Sequence, residues 1–363
     1  NVVPAVATSI GAIAMPTQKG PVGSIINISS EEELVKTFGK PVGVDATTEA
    51  AGNIMYESWF AAANFLQYSD HLKVVRCESA ILNAGADSGI LIRDDEHYEA
   101  SFSTGQGSHG EWAARTAGTW GNSIGVQICA TADGFDQALS TNNLLNGAAS
   151  EGNTSCVVDD ADASGYAFNV GDLISFFSDN SATVPVDEFN EYEVTAINTT
   201  SNALTIRLKD DPNGVGLQRD IPDNSTIRRK WKYNDLFENA PGTSQWATDN
   251  ARGTGDEMHV VVYDTTGALT GYDADVAGQR TSSVIEVFAN MSKSNVAKDA
   301  QGSSNYYPDV IFRKSKFIYW TDHISGGSNW GTDTTSAYTD VLPITIDSLT
   351  GGTDDHAVTA GEL

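Results

Sequence analysis

The chain has 363 residues, 40% of them hydrophobic, with 48 acidic against 21 basic side chains and a formal charge of −27. That length suits two or three domains, and the apolar content is enough for a core, which excludes a wholly disordered chain. Such acidity disfavours nucleic acid and anionic membrane as partners, because both require Lys and Arg to displace counterions, and it keeps a subunit soluble at high concentration.

Cys77, Cys129 and Cys156 are odd in number and far apart, so no disulfide framework or CxxC pair is expected, as in a reducing compartment. The longest nearly unbroken apolar run, "WFAAANFL", is too short for a membrane span, and no basic-then-apolar leader opens the chain. The sequence starts at Asn1 without a Met and closes on "LTGGTDDHAVTAGEL", which has the character of a connection. Both ends are expected to be cut.

Residues 2 to 28 carry short apolar runs broken by Gly11, Pro16, Gly20, Pro21 and Gly23, as strands and turns do. In "SSEEELVKTFGKP", Ser30 is placed to cap a helix, Glu33 to reach back, and Gly39 with Pro41 to end it. A second helix is predicted where Ile54, Met55, Trp59, Ala62, Ala63 and Leu66 fall on one stripe. "HLKVVRC" follows as a short strand, so strand, helix, helix, strand predicts an α/β layer.

"TWGNSIGVQIC" alternates Ile124, Val126 and Ile128 behind a Gly-Asn turn, which predicts a half-buried strand. Residues 133 to 226 then hold 16 Asp and Glu against 3 Lys and Arg. The alternating segments "DLISFF", "EYEVTAI" and "ALTIRL" within that stretch predict a separate antiparallel β module, barrel-like and inserted into a parent domain. The parent resumes with the buried-strand run "MHVVVYD", a turn at "TTGALTG", and a strand at "SVIEVFANMS".

Two matches to catalytic patterns fail on context. "GNSIG" satisfies G-x-S-x-G, but an elbow nucleophile at Ser123 needs a helix to follow, and strand alternation follows instead. "GQGSHG" satisfies G-x-G-x-x-G, yet "EWAAR" opens at most a short helix after it, and no acidic residue ends a strand about twenty positions on. The histidines (71, 97, 109, 259, 323, 356) show no paired ligand spacing, and "KDDPNG" has Lys209 where a calcium loop needs its first carboxylate. "RRKWK", Arg228 to Lys232, is expected to pair with acidic groups in the molecule or on another copy. No catalytic, cofactor-binding or metal-ligating residue is therefore assigned, no cofactor is implied, and an enzyme is not expected.

Five segments together resemble the contractile tail sheath proteins of myovirus-type, T-even-like bacteriophages. They are "SSEEELVKTFGKP" with "ANFLQYSDHLKVVRC"; "AGTWGNSIGVQI", with Ala117 at a usual Pro; "DEMHVVVYDTTGALTG"; "VIEVFANMSKSNVAKDAQGSSNYYPDVIFRKSKFIYW"; and "LTGGTDD". Their order and spacing follow the family over about 200 of the 363 residues. The acidic module after "TWGN" departs from the pattern, and so does the short stretch between Cys77 and Trp120. The family's terminal arms and its tube-facing C-terminal part are also missing.

The resemblance implies a mixed α/β, α+β multi-domain subunit with discontinuous parent domains. Residues 1–78 with about 338–363 would belong to the conserved α/β sheath domain, 79–132 with 246–337 to a middle α+β domain, and 133–245 to an inserted acidic β module at outer radius. It also implies a structural protein of the virion tail, assembled in the host bacterial cytoplasm as stacked hexameric rings around the tail tube. Contraction would drive that tube through the host envelope. The implied partners are other copies of itself, the tail tube, and the baseplate and tail terminator proteins, with no nucleic acid bound and no membrane insertion. A fragment without arms is expected to be monomeric or weakly associating. The alternatives are the sheath of a related bacterial contractile injection system, or a glycan- or receptor-binding β module.

Six aromatics crowd "GSSNYYPDVIFRKSKFIYW", residues 302 to 320. The spacing Tyr307, Val310, Ile311, Lys314 predicts a helix capped near Ser304 or Asn305, with Pro308 in its first turn and "KFIYW" following as an alternating strand. The aromatics are therefore expected to form core, not a stacking platform.

Overall fold

The computed structural model describes all residues except 1–8, 42–54, 78–79, 140–142, 164–166, 179–184, 188–189, 212, 274–281, 341 and 355–363. In chain order the described elements begin with β1 (Gly11–Met15), β2 (Ile25–Ile28), α1 (Glu31–Phe38), α2 (Met55–Leu66), β3 (Leu72–Arg76), α3 (Asp95–Ser101) and β4 (Trp112–Ala114). Next come β5 (Ile124–Cys129), α4 (Ala132–Phe135), β6 (Asp136–Leu139), β7 (Ser155–Val157), β8 (Leu173–Phe177), β9 (Tyr192–Asn198), β10 (Ala203–Leu208) and β11 (Thr226–Lys230). The last are α5 (Gln245–Asp249), β12 (Glu257–Asp264), β13 (Val284–Ser292), α6 (Tyr307–Lys314), β14 (Ile318–Trp320) and β15 (Ile344–Ser348). The fold is mixed α/β, rich in strands, and mostly antiparallel. Two units are distinguished: Asn1–Ile124 with Ile311–Ile324 and Ser348–Leu363, and Gly125–Val310 with Ser325–Asp347.

In the first unit, β3 is the centre of a three-stranded sheet, parallel to β1 and antiparallel to β2. Its helices begin and end where the side chains require. Ser30 Oγ accepts the Glu33 amide at 3.2 Å, and the Glu33 carboxylate accepts the Ser29 amide at 2.8 Å, one residue earlier than a standard capping box. Gly39 ends α1 at φ 86°, a left-handed conformation that suits glycine, while its amide bonds Val35 O. Trp59, Ala62 and Ala63 of α2 are buried with Leu34, Phe38, Met15 and Val74, and Trp59 Nε1 donates to Gly39 O. Ile54 lies outside the described residues.

The stretch before β4 is organised around Asn83, which is fully buried. Its Nδ2 donates to Ala114 O and its Oδ1 accepts the Ile92 amide, both at 2.9 Å, so one side chain replaces two missing ladder bonds. Residues 112–114, weighed from sequence as the start of a helix, form strand β4. It pairs antiparallel with β14, setting Trp112 opposite Trp320 and Ala113 opposite Tyr319. All three residues of β4 are buried, so packing overrides the helix preference of "EWAAR".

The second unit holds two larger sheets. One is four-stranded, in the order β13-β12-β5-β15. Here β5 is buried at all six positions, not half-buried as its alternation predicts. The intervening residues look polar or small in sequence, but each is covered: Gly125 by the Tyr263 ring, and Gln127 by a hydrogen bond from Trp231 Nε1 at 2.9 Å. The other sheet is six-stranded and wholly antiparallel, in the order β6-β11-β8-β9-β10-β7, and it draws all its strands from residues 136–230. "DLISFF", "EYEVTAI" and "ALTIRL" become β8, β9 and β10. Their inward residues Ile174, Phe176, Tyr192, Val194, Leu204 and Ile206 share one core cluster.

Candidate functional site

A polar cluster in the first unit surrounds Asp95 and Arg115. Asp94 caps α3 by accepting the His97 amide at 2.8 Å, which leaves Asp95 in the first turn. Asp95 Oδ1 accepts from Tyr319 Oη at 2.6 Å and from Arg115 Nη2 at 2.9 Å. Arg115 Nη1 donates to the carbonyls of Phe312 and Ser315, both at 2.9 Å, closing the end of α6. The guanidinium lies over the rings of Tyr319 (4.5 Å) and Phe312 (5.3 Å), and Tyr98 stacks on Tyr319 at 4.4 Å.

Burial, then the bond to Asp95, pushes the Tyr319 phenol up, so it stays a donor. For Asp94 burial opposes ionisation, but the Ser24 hydroxyl and the His97 amide outweigh it and hold the carboxyl low. A cleft of about 680 Å³ opens here, with Ile25, Arg93, Glu96 and Thr116 on its walls. Ile25 is 65% exposed. The cleft offers mixed charge and an apolar edge.

No protein-family model matches the chain, and no curated protein matches it.

Ser123 ends a 3₁₀ turn, Thr119–Ser123, and β5 follows it directly, so the strand-to-helix elbow is not formed. "GQGSHG" follows helix α3 and precedes strand β4, the reverse of a dinucleotide-binding order. Gly105, Gly107 and Gly110 have φ of 96°, 58° and 83°, so this loop uses its glycines for backbone conformation. Two cations of "RRKWK", Arg228 and Lys230, meet carboxylates within the molecule, while Arg229 is held by neutral acceptors. Arg228 Nε bonds Asp136 at 2.6 Å, Arg229 bonds Gln137 and the carbonyls of Asp133 and Ala167, and Lys230 pairs with Glu191. Burial works against the Glu191 charge, but bonds from Lys230 and Lys209 bring its pKa below the ordinary value.

Among the described residues no group of three His, Cys, Asp or Glu is placed to hold a metal ion. His259 is buried against the Phe237 ring at 4.1 Å, and His71 is exposed beside Asp70. His356 lies outside the described residues. No described helix is long and apolar enough to cross a membrane. In the acidic module, Phe168, Phe176 and Tyr192 are core residues, while Tyr166 and Phe189 lie outside the described residues. Burial pushes the Cys129 thiol up, and that of Cys156 up to about 12, which disfavours the thiolate at both.

In the aromatic stretch, Tyr307, Val310, Ile311, Tyr319 and Trp320 are buried, as a core reading requires, but Lys314 is exposed and ends the stripe. Ser304 Oγ accepts the Tyr306 amide and donates to Asp309, securing the start of α6. β14 is buried at all three positions and does not alternate. Sequence reasoning missed Lys293, which is fully buried, and the Asp95–Arg115 pair. The sole signal for Lys293 is a lone cation set among small residues in "ANMSKSN".

Proposed function

We propose that this chain is part of a contractile tail sheath subunit of the myovirus type, and that it acts mechanically in a virion tail assembled in the bacterial cytoplasm. The observation that carries this reading is the five segments in family order over about 200 of the 363 residues. They correspond here to scaffold elements: α1 with β3, the turn into β5, β12, and β13 through α6 to β14. The partners are further copies forming stacked hexamers, the tail tube, and the baseplate and terminator proteins. Among the described residues β1 and β2 each pair on one side alone, which leaves backbone for strand addition by a neighbour. Contraction is then a switch between two packings of the same subunit, driven by energy stored at assembly.

In this reading the six-stranded acidic sheet is an insertion into discontinuous parent domains and lies at large radius. Supporting it, the chain enters and leaves the module at adjacent points. Asp136 and Lys230 are paired across β6 and β11, and the Trp231 amide donates to Phe135 O at 3.0 Å. The test is electron microscopy of the complete gene product carrying this sequence. Tubes or stacked rings are expected, and a dispersed particle under all assembly conditions would overturn the reading.

A further inference from the structure

Lys293 directly follows β13, and its side chain is wholly buried. Its Nζ donates to the carbonyls of Ala130 at 2.9 Å and Gly255 at 2.8 Å. The remaining contact is with Asp340, whose Oδ2 lies 3.2 Å away and whose side chain is 7% exposed. Asp340 Oδ1 is buried and has no hydrogen-bond partner among the described residues. The Trp330 ring covers the amine, its centroid 5.2 Å from Nζ. The neighbouring carboxylate, Asp256, is already engaged by the Ser244 amide, the Ser244 hydroxyl and the Ser292 hydroxyl.

As an ion pair this arrangement is poorly satisfied, because one carboxylate oxygen is buried without a partner among the described residues. As a pair of neutral reactants it is well arranged. Two backbone carbonyls take the two hydrogens of a neutral amine, and its lone pair is left for the Asp340 carboxyl. Burial lowers the proton affinity of Lys293 and raises that of Asp340, and both effects favour amine and acid over ammonium and carboxylate.

We propose that Lys293 and Asp340 condense in the folded chain to an intramolecular isopeptide bond. The ammonium first passes one proton to the Asp340 carboxylate. The amine lone pair then attacks Cγ, and the Nζ–Cγ bond forms as the Cγ–OH bond breaks. The departing hydroxyl takes one of the two amine protons and leaves as water. Charge is conserved, and no oxidant, reductant or activating group is consumed. The product ties the end of β13 to the segment before β15, the two outer strands of the four-stranded sheet. This inference does not rest on the sheath reading.

Intact mass of the denatured 363-residue chain is expected to fall below the sequence mass by one water, with peptide mapping recovering a branched peptide through Lys293 and Asp340. Lys293→Arg is expected to restore the full sequence mass. Asp340→Asn keeps the shape of the site and is expected to lose ammonia in place of water, which remains readable if other variants misfold. Linear peptides at both residues after long incubation of folded protein would overturn the proposal, as would a water loss that maps elsewhere or survives in Lys293→Arg.

Discussion

The Tyr263 ring occupies the space where a side chain at Gly125 would begin: a Cβ there would lie 2.3 Å from Tyr263 Cζ. This contact explains why β5 carries a glycine inside a strand, where the residue otherwise weakens pairing. Gly125→Ala is expected to destabilise the second unit by about 2 kcal/mol through overpacking. Adding Tyr263→Leu should recover part of that loss, read as non-additivity of urea midpoints. Strict additivity of the two changes would show that the contact does not govern the site.

Arg115 does several jobs at once, so Arg115→Lys is not a conservative change. Lysine keeps the charge but loses the fork that bonds both Phe312 O and Ser315 O and lies over Tyr319. The Asp95 partner is 59% exposed, so the ion pair itself contributes little. Each unsatisfied carbonyl costs about 1 kcal/mol or more, and Arg115→Lys and Arg115→Met should both cost on the order of 2 kcal/mol. If the lysine variant unfolded at the wild-type urea concentration, charge rather than the fork would be the stabilising feature.

These residues also mark how far the sequence was legible. The Ser30–Glu33 start of α1, the β8, β9 and β10 strands and the buried aromatics of 302–320 were readable because each is specified locally, by a cap or by periodicity. The full burial of β5 was not, because Gly125 and Gln127 look solvent-facing until Tyr263 and Trp231, more than a hundred positions away, cover them. Lys293, Asp340 and Asp95 were missed for the same reason. Their partners are brought in by sheet topology, and neither spacing nor composition encodes that.

The pH dependence of stability combines two opposing slopes. His259 Nε2 donates to Asn239 O and its Nδ1 accepts the Asn290 amide, so the folded chain holds it neutral. Burial lowers its pKa from the ordinary 6.5; its contribution is full above that value and is lost as pH falls towards the lower folded value. Asp172 is the reverse case. Burial raises it from 3.8 to about 6 against the pull of Arg229, so its contribution is full below 3.8 and is lost as pH rises through about 6. Asp172→Asn removes the second slope, so stability should rise more steeply between about pH 5 and 6.5 than in the wild type. His259→Gln should flatten the rise. Urea midpoints across that window decide it, and parallel profiles for wild type and Asp172→Asn would remove Asp172 from the account.

The insertion reading fixes where the acidic module can be cut. Asp136 and Lys230 face each other in the ladder, and Trp231 bonds back to Phe135, so the ends to be rejoined are already neighbours. Beyond that point the chain belongs to another core. Trp231 and Tyr233 are buried with Cys129, Val261 and Ile344, and Trp231 Nε1 is held by Gln127. Removing residues 140 to 240 would take both aromatics away and open a cavity costing several kcal/mol, on the order of 3 kcal/mol for each large side chain. Removing 136–230 and joining 135 to 231 through a short Gly-Ser link keeps them. That variant is expected to unfold cooperatively, with Trp231 still buried by fluorescence. Loss of the cooperative transition in this precise excision would mean that the six-stranded sheet is an integral part of the second unit and not an insertion.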